Sequence, residues 1–472
     1  MERLSRTTLP RAHARLPRFD PAAVGTGIVH LGLGAFMRAH VTAFNDDAME
    51  ASGDLSWGIA GVSLRSSDPT ARLSPQDALF TAVERGADTR ARILGSLTAA
   101  IHAPTEHGRM MGLLTAPETR IVSLTITEKG YCHDPATGYL RPDHPDVVAD
   151  LASDTPRTAP GLIVAALAAR RAAGAAPFTV LCCDNLPQNG RVTRQVVSGF
   201  AALRDEALAT WIKDNVAFPS TMVDRIVPAV TEDVLAETAA LIGLRDEACV
   251  LHEPFGQWVI EDTFPQGRPD WHLAGAQMTD NVEPWELMKL RMLNGTHSAM
   301  AWLGTLAGVQ TVGEAITDPD IGPFIDALWE EIIPTVHGTD LHAYAADLRA
   351  RYANPGMRHL TAQIASDGSQ KLPQRILGPI RDRRAAGQDW TRLALVVAAF
   401  LRHAQGVADD GTALRISDPL APLLGGTARE MMALPQIFGP LGQDPAFVAA
   451  IEDQHHKLAR DGVRATLRAL AG

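Results

Sequence analysis

Four side chains in two short runs suggest a chemistry. Lys289, Asn294 and His297 lie within Met288–His297, and Asn185 lies within Cys183–Gly190. An amine that trades a proton, amides that donate N–H groups and an imidazole that adds a hydrogen bond can together ionise or protonate a carbon-bound oxygen. Oxidising a secondary alcohol needs such a set, because the hydroxyl proton must leave while hydride departs from the carbon. An unactivated alcohol is a very weak acid, so the base has to be poised near neutrality. Withdrawing a lysine from water at a domain interface lowers its pKa toward roughly 7–8. The chain has no HExxH run and its 16 histidines are scattered, so no catalytic metal is expected.

The elements that carry these groups follow from spacing. If 285–300 is a regular helix, Glu286, Lys289 and His297 fall within about 80° of one another, with Asn294 about 60° beyond His297. Leu290, Met292 and Leu293 are then left to pack the helix. Glu286 stands one turn before Lys289, where it can hold the ammonium; its plain alternative is a surface i,i+3 pair. Asn185 follows the apolar run Phe178–Cys183, at the edge where open α/β sheets place ligands. The plain alternative for Asn185 is a turn residue before Leu186-Pro187.

Near the start, Ile28-Val29-His30-Leu31-Gly32-Leu33-Gly34-Ala35-Phe36 reads as a strand, a glycine turn and a helix start. One glycine permits the tight turn, and the next lets a pyrophosphate approach the backbone. The third glycine position is Met37, so the fingerprint is incomplete. Leu31 through Phe36, together with Arg38, are the candidate cofactor contacts. After the second apolar run, Trp57–Leu64, Asp68 can hold ribose hydroxyls and favours NAD, whereas Arg65 would suit the extra phosphate of NADP. NAD is expected, with NADP left open.

The order of runs gives the fold. Ile28–Leu31, Trp57–Leu64, Ile121–Ile126, Phe178–Cys183 and Trp258–Ile260 have buried-strand length. They alternate with helical patterns such as Leu162–Ala173 and Val192–Asn215, which predicts a Rossmann-like doubly wound parallel sheet. From Trp285 onward the patterns are almost all helical: Trp285–Leu306, Pro323–Ile333, Leu341–Tyr352, Thr391–His403 and Ala446–Leu470. The class is therefore α/β with a mostly α-helical C-terminal domain, divided as 1–280 and 281–472. Asp280 or Asn281 is the expected cap of the first helix beyond the boundary, with Pro284 in its first turn.

Composition excludes several classes. A net charge of −11 argues against nucleic acid. No apolar run reaches the roughly 18–20 residues of a membrane span. No signal-peptide pattern follows the arginines of Met1–Arg18, so a cytoplasmic protein is expected. The four cysteines lack zinc-ligand spacing and are expected to be reduced.

Taken together, the motifs resemble the mannitol dehydrogenase family of polyol-specific long-chain dehydrogenases. The resemblance runs from about residue 25 to beyond 460. It rests on His30–Phe36 with Arg38-Ala39-His40, Thr127–Tyr131, Cys183-Asp184-Asn185, Phe218-Pro219 with Met222–Ile226, and Glu253-Pro254-Phe255 with Gln257-Trp258-Val259. The runs 288–297 and Asp367–Lys371 complete it. It implies a zinc-independent alcohol dehydrogenase with its active site between two domains. The catalytic lysine is then Lys289, the oxyanion-binding asparagines Asn185 and Asn294, and the active-site histidine His297. Asp224 and Lys371 match substrate-contacting positions.

Three runs, Lys289–Leu293, Ser369–Arg375 and Phe218–Ala229, are most similar to the fructuronate reductase (D-mannonate oxidoreductase) branch. A uronate carboxylate needs cations, and Arg358, Lys371 and Arg375 are the candidates. Arg291 would point about 160° from Lys289 on a straight helix and reads as an ion pair elsewhere. The resemblance therefore implies interconversion of D-mannonate and D-fructuronate. Mannitol or arabinitol oxidation is the alternative, and a non-catalytic nucleotide sensor a remote one.

Overall fold

The computed structural model describes residues 1–135, 137–338, 340–356 and 358–471. The chain falls into two compact units, Met1–Val282 and Glu283–Gly472.

Eleven strands are described, all in the first unit. They are β1 (Thr26–Leu31), β2 (Gly58–Ser63), β3 (Phe80–Arg85), β4 (Thr89–Leu94), β5 (Leu97–His102) and β6 (Ile121–Leu124). The rest are β7 (Thr179–Cys182), β8 (Thr221–Asp224), β9 (Val250–His252), β10 (Gln257–Glu261) and β11 (Gln277–Thr279). Five of them form one sheet in the order β5-β2-β1-β6-β7, every pair parallel. Counted as the chain supplies them, that order is third, second, first, fourth, fifth. The progression thus reverses between β1 and β6, which is where open α/β sheets leave a crevice at the carboxyl ends of their strands.

Both faces of this sheet are covered. Val29, Leu31, Val62, Val122, Leu124, Val180 and Cys182 join one apolar core, while Ile28, Ile59, Ile121, Leu181 and Cys183 join another. Alternate residues pointing to opposite faces, each covered by apolar side chains, explain why these strands read as unbroken apolar runs. His30 is the buried polar member of β1. It is fully buried and spans to β6 and its exit, with Nδ1 2.7 Å from Ser123 Oγ and Nε2 2.8 Å from Thr125 Oγ1.

Two expectations need correction here. Trp258–Ile260 is a strand, but β10 pairs antiparallel with β8 and parallel with β11 in a separate three-stranded sheet. The pattern 192–215 is two helices, Asn189–Arg204 and Glu206–Asn215. Asp205 separates them with extended backbone (φ −158°, ψ 111°), and its carboxylate accepts the Ala207 N–H to cap the second.

The second unit is helical around a single apolar core that includes Met292, Trp302, Leu328, Leu395 and Phe400. Its first helix begins at Glu283 with Pro284 in the opening turn, where the missing N–H costs nothing. The expected cap at Asp280 or Asn281 thus lies outside the helix by two residues or more. The segment 285–306 is not one regular helix. Glu283–Met288 and Gly295–Leu306 are α-helical, and Lys289–Asn294 between them is π-helical. A second π segment, Pro373–Leu377, packs against the first. The last helix, Pro445–Ala471, is interrupted at Gly462 (φ 72°). Among the described residues no helix is long and apolar enough to cross a membrane.

Candidate active site

In the first unit the candidate residues, apart from Asp224 on β8, lie at the carboxyl ends of β1, β2 and β7, beside the exit of β6. Gly32 ends β1 at φ +108°, and a Cβ there would meet Thr125 O at 2.0 Å. Only glycine fits a turn that is left-handed and pressed against the exit of β6. Gly34 is different: it is exposed and extended, and a Cβ there would find nothing nearer than Gly32 O at 4.0 Å.

The backbone donors of this turn are partly spent. The N–H groups of Gly32 and Leu33 donate to Val62 O (2.8 and 3.1 Å), and that of Gly34 to Gly32 O (2.7 Å). Ala35 and Phe36 begin a helix, whose first N–H groups have no partner within the helix. The candidate contacts therefore narrow. Leu31 and Leu33 are core side chains, 0% and 2% exposed. Arg38 braces the turn: its Nε donates to Gly34 O (3.3 Å), its Nη1 donates to Ala248 O, and its guanidinium lies over the Phe80 ring. Burial pulls the Arg38 pKa down to about 10. Met37, at the third glycine position, is fully buried in the core.

Beyond β2, Asp68 opens a short helix and accepts from Arg72 Nε at 3.0 Å, leaving its side chain 63% exposed. Arg65 is 81% exposed and pairs with Asp146 at 3.2 Å.

At the end of β7, Asp184 is a clamp. Its carboxylate accepts the N–H groups of Ile126 and Thr127 (both 2.9 Å) and the Tyr131 O–H (2.7 Å), joining the β6 and β7 exits. Burial raises its pKa, and these three hydrogen bonds oppose that rise. Asn185 is the next residue and is exposed. Asp224 ends β8 opposite Gln257 and is 5% exposed.

In the second unit, Lys289 and Asn294 are the first and last residues of the π segment, and both are half-buried. The Gly295 N–H donates to Leu290 O, a step of five residues. On a regular helix Lys289 and Asn294 would stand about 140° apart. With bonds running i→i+5 the twist per residue falls, so the π turn brings Asn294 nearer to the face of Lys289 than a regular helix would.

Side chains from distant elements hold this turn. Met292 O accepts from Thr296 Oγ1 and from Trp329 Nε1 (3.2 Å), and Leu293 O accepts from Tyr352 Oη (2.8 Å). Asn294 O accepts from Arg375 Nη1 (3.2 Å), which also donates to Ser298 Oγ (3.1 Å). Arg375 belongs to the other π segment, so that stretch supports this one.

His297 follows one turn later. Its ring lies 4.8 Å from that of Tyr352 and 5.9 Å from that of His359. Its Nε2 is shielded from solvent and meets no hydrogen-bond partner among the described residues. Burial holds its pKa well below the ordinary histidine value, and the positive fields of His359, Arg375, Arg351 and Lys371 push the same way. The imidazole is therefore neutral.

Lys371 donates its ammonium to Ile364 O (2.9 Å) and Ser366 O, and burial, then Arg375, lower its pKa to about 8. Arg358 is exposed. Arg291 donates to Thr335 O and pairs with Asp382, which is the structural role its helical position suggested. Glu286 is half-buried.

Sequence reasoning missed the clamping role of Asp184 and the part of Tyr352 in the π turn. Asp184 stands inside the run Cys183–Gly190, but nothing local gives its partners. Tyr352 closes a helix of weak amphipathic pattern and gives no signal of its own.

The family model described as the mannitol dehydrogenase Rossmann domain matches residues 26–273, and that of the mannitol dehydrogenase C-terminal domain matches 281–459. An uncharacterized oxidoreductase of Escherichia coli, YdfI, is 47% identical over 97% of both chains. The D-mannonate oxidoreductase of the same organism is 43% identical over 96% of this chain and 97% of the relative. Among solved structures, the ternary complex of Pseudomonas fluorescens mannitol 2-dehydrogenase with NAD and D-mannitol superposes with a TM-score of 0.88. It is 39% identical and covers 99% of each chain.

Proposed function

The chain belongs to the mannitol dehydrogenase family of secondary-alcohol oxidoreductases, and from that premise we propose that it interconverts D-mannonate and D-fructuronate with NAD. The observation that carries the substrate reading is a pair of cations drawn out of water near the π turn. Arg375 donates to Asn294 O and Ser298 Oγ, Lys371 lies one turn before it, and burial lowers the pKa of both. Such a concentration of positive charge in a partly desolvated place favours a ligand that carries a carboxylate.

The first unit fits a dinucleotide. The turn at Gly32 admits no side chain, Gly34 leaves room above the backbone, and the sheet order reverses beside them. Ala35 and Phe36 would receive the pyrophosphate, and Asp68 the ribose hydroxyls. NAD, when bound, supplies the hydride acceptor and donor.

The chain's own residues handle the proton. Lys289 takes the hydroxyl proton during oxidation and returns it during reduction. Asn294 and Asn185 donate amide N–H groups to that oxygen and stabilise its developing charge. His297, neutral, offers Nε2 to a substrate hydroxyl. Asp224, Lys371, Arg375 and Arg358 are the proposed substrate contacts, with Arg375 and Lys371 on the carboxylate.

Steady-state rates followed by NADH absorbance test the reading. D-mannonate should exceed D-mannitol in kcat/KM by about 10–100-fold, the worth of one or two charge-assisted hydrogen bonds. The second reading, an uncharged polyol, is favoured by the D-mannitol complex of the 39% identical enzyme. A preference for mannitol would establish it in place of the first.

A further inference from the structure

Between the β6 exit and the first turn of the helix Pro145–Leu151, Cys132, His144 and Asp146 bring one ligand atom each to within 4.8 Å of one another. It is the one such three-donor group among the described residues. We propose that these three side chains form a binding site for a thiophilic divalent cation of the zinc type.

The donors are a thiol, an imidazole and a carboxylate, all of them ligands that zinc takes. Zinc bonds of roughly 2.0–2.3 Å need ligand atoms roughly 3–4 Å apart in a tetrahedron, so a small inward movement closes the set. Each residue is held by its backbone. Cys132 is 4% exposed and left-handed (φ 52°), and its carbonyl accepts the Arg141 N–H at 2.9 Å. His144 precedes the helix Pro145–Leu151, and its Nδ1 accepts the Asp146 N–H at a long 3.2 Å.

Neighbouring groups define the set by exclusion. Asp150 is near, but its carboxylate is committed to the N–H groups of Arg157 and Thr158 and to the Thr158 hydroxyl. Asp146 is exposed, and its 3.2 Å pair with Arg65 is one that a cation can displace. Water completes the fourth position. On binding, the Cys132 thiol gives its proton to solvent and the sulfur lone pair forms the metal bond, so no oxidant or reductant is involved.

Cadmium is the probe, because a thiolate–cadmium bond absorbs in the ultraviolet whether or not the enzyme turns over. The full chain should bind one equivalent with that absorption. Cys132→Ser should abolish the band, and His144→Ala and Asp146→Asn should each weaken binding by about 100-fold or more, at least the cost of disturbing a site's outer shell. Asp146 is exposed, so its variant keeps the test open if Cys132→Ser fails to fold. Absence of the band in the wild type, or its persistence in Cys132→Ser, overturns the proposal, as does unchanged affinity in both other variants.

Discussion

Lys289 and Asn294 stand at the two ends of one π segment, five residues apart where the helix bonds step by five. A regular helix would have turned them away from each other. If both serve one oxygen, their losses must overlap. Lys289→Ala is expected to lower turnover by about two to four orders of magnitude, and Asn294→Ala by about two to three. The double variant should then lose much less than the product. Full multiplication of the two effects, measured in kcat, counts against a shared oxygen. NADH binding, followed by fluorescence, should survive in all three.

Arg375 links the two π segments through Asn294 O and Ser298 Oγ. Arg375→Met leaves both without that donor and is expected to destabilise the fold by about 1–3 kcal/mol. Denaturant unfolding measures it. The same change should raise KM for D-mannonate more than for an uncharged polyol. A variant as stable as the wild type would show that the bond holds nothing.

The two glycines of the turn should separate cleanly. Gly32→Ala places a methyl 2.0 Å from Thr125 O in a left-handed conformation, and is expected to cost about 1–3 kcal/mol and to abolish NADH binding. Gly34→Ala meets open space, so the protein should melt as the wild type does while binding NADH more weakly. Normal NADH binding by Gly34→Ala would move the pyrophosphate elsewhere.

Burial lowers the pKa of His30 from an ordinary 6.5 to about 3. The unfolded chain therefore binds the proton first, and the stability His30 confers is complete above about pH 6.5 and declines as pH falls toward 3. By pH 5 the loss is about 2 kcal/mol. Asp46, raised by burial to about 6, works in the opposite sense, since its neutral form favours the folded state as pH falls. Comparing urea unfolding of wild type and His30→Gln at pH 7.5 and 5 isolates the histidine. The variant should lose less stability on acidification, and equal losses would contradict the assignment.

Much of the first unit was legible because four strands of its parallel sheet are buried on both faces. β1, β2, β6 and β7 read as apolar runs for that reason. β5, at the sheet edge, is Leu-Thr-Ala-Ala-Ile-His with a half-buried stretch, and gives no such run. Trp258–Ile260 has the same apolar character as a sheet strand, and only its pairing partner β8 decides which sheet it joins. The candidate site was legible as a cluster of residue types at 288–297. Its shape was not, because the π turn depends on donors from Trp329, Tyr352 and Arg375, up to 81 residues away. Nothing within Lys-Leu-Arg-Met-Leu-Asn announces it.

On the role proposed for Asn185, the Asp184 clamp bears on how that residue would meet a ligand. Three donors from the neighbouring strand exit fix the preceding residue before anything arrives. The entropy of ordering that backbone is lost once, as the chain folds, and not again at each encounter. Contacts made by Asn185 can then go into affinity and rate and need not be consumed in freezing a loop. Weakening Asp184 should accordingly slow catalysis through a residue that never touches the reactants.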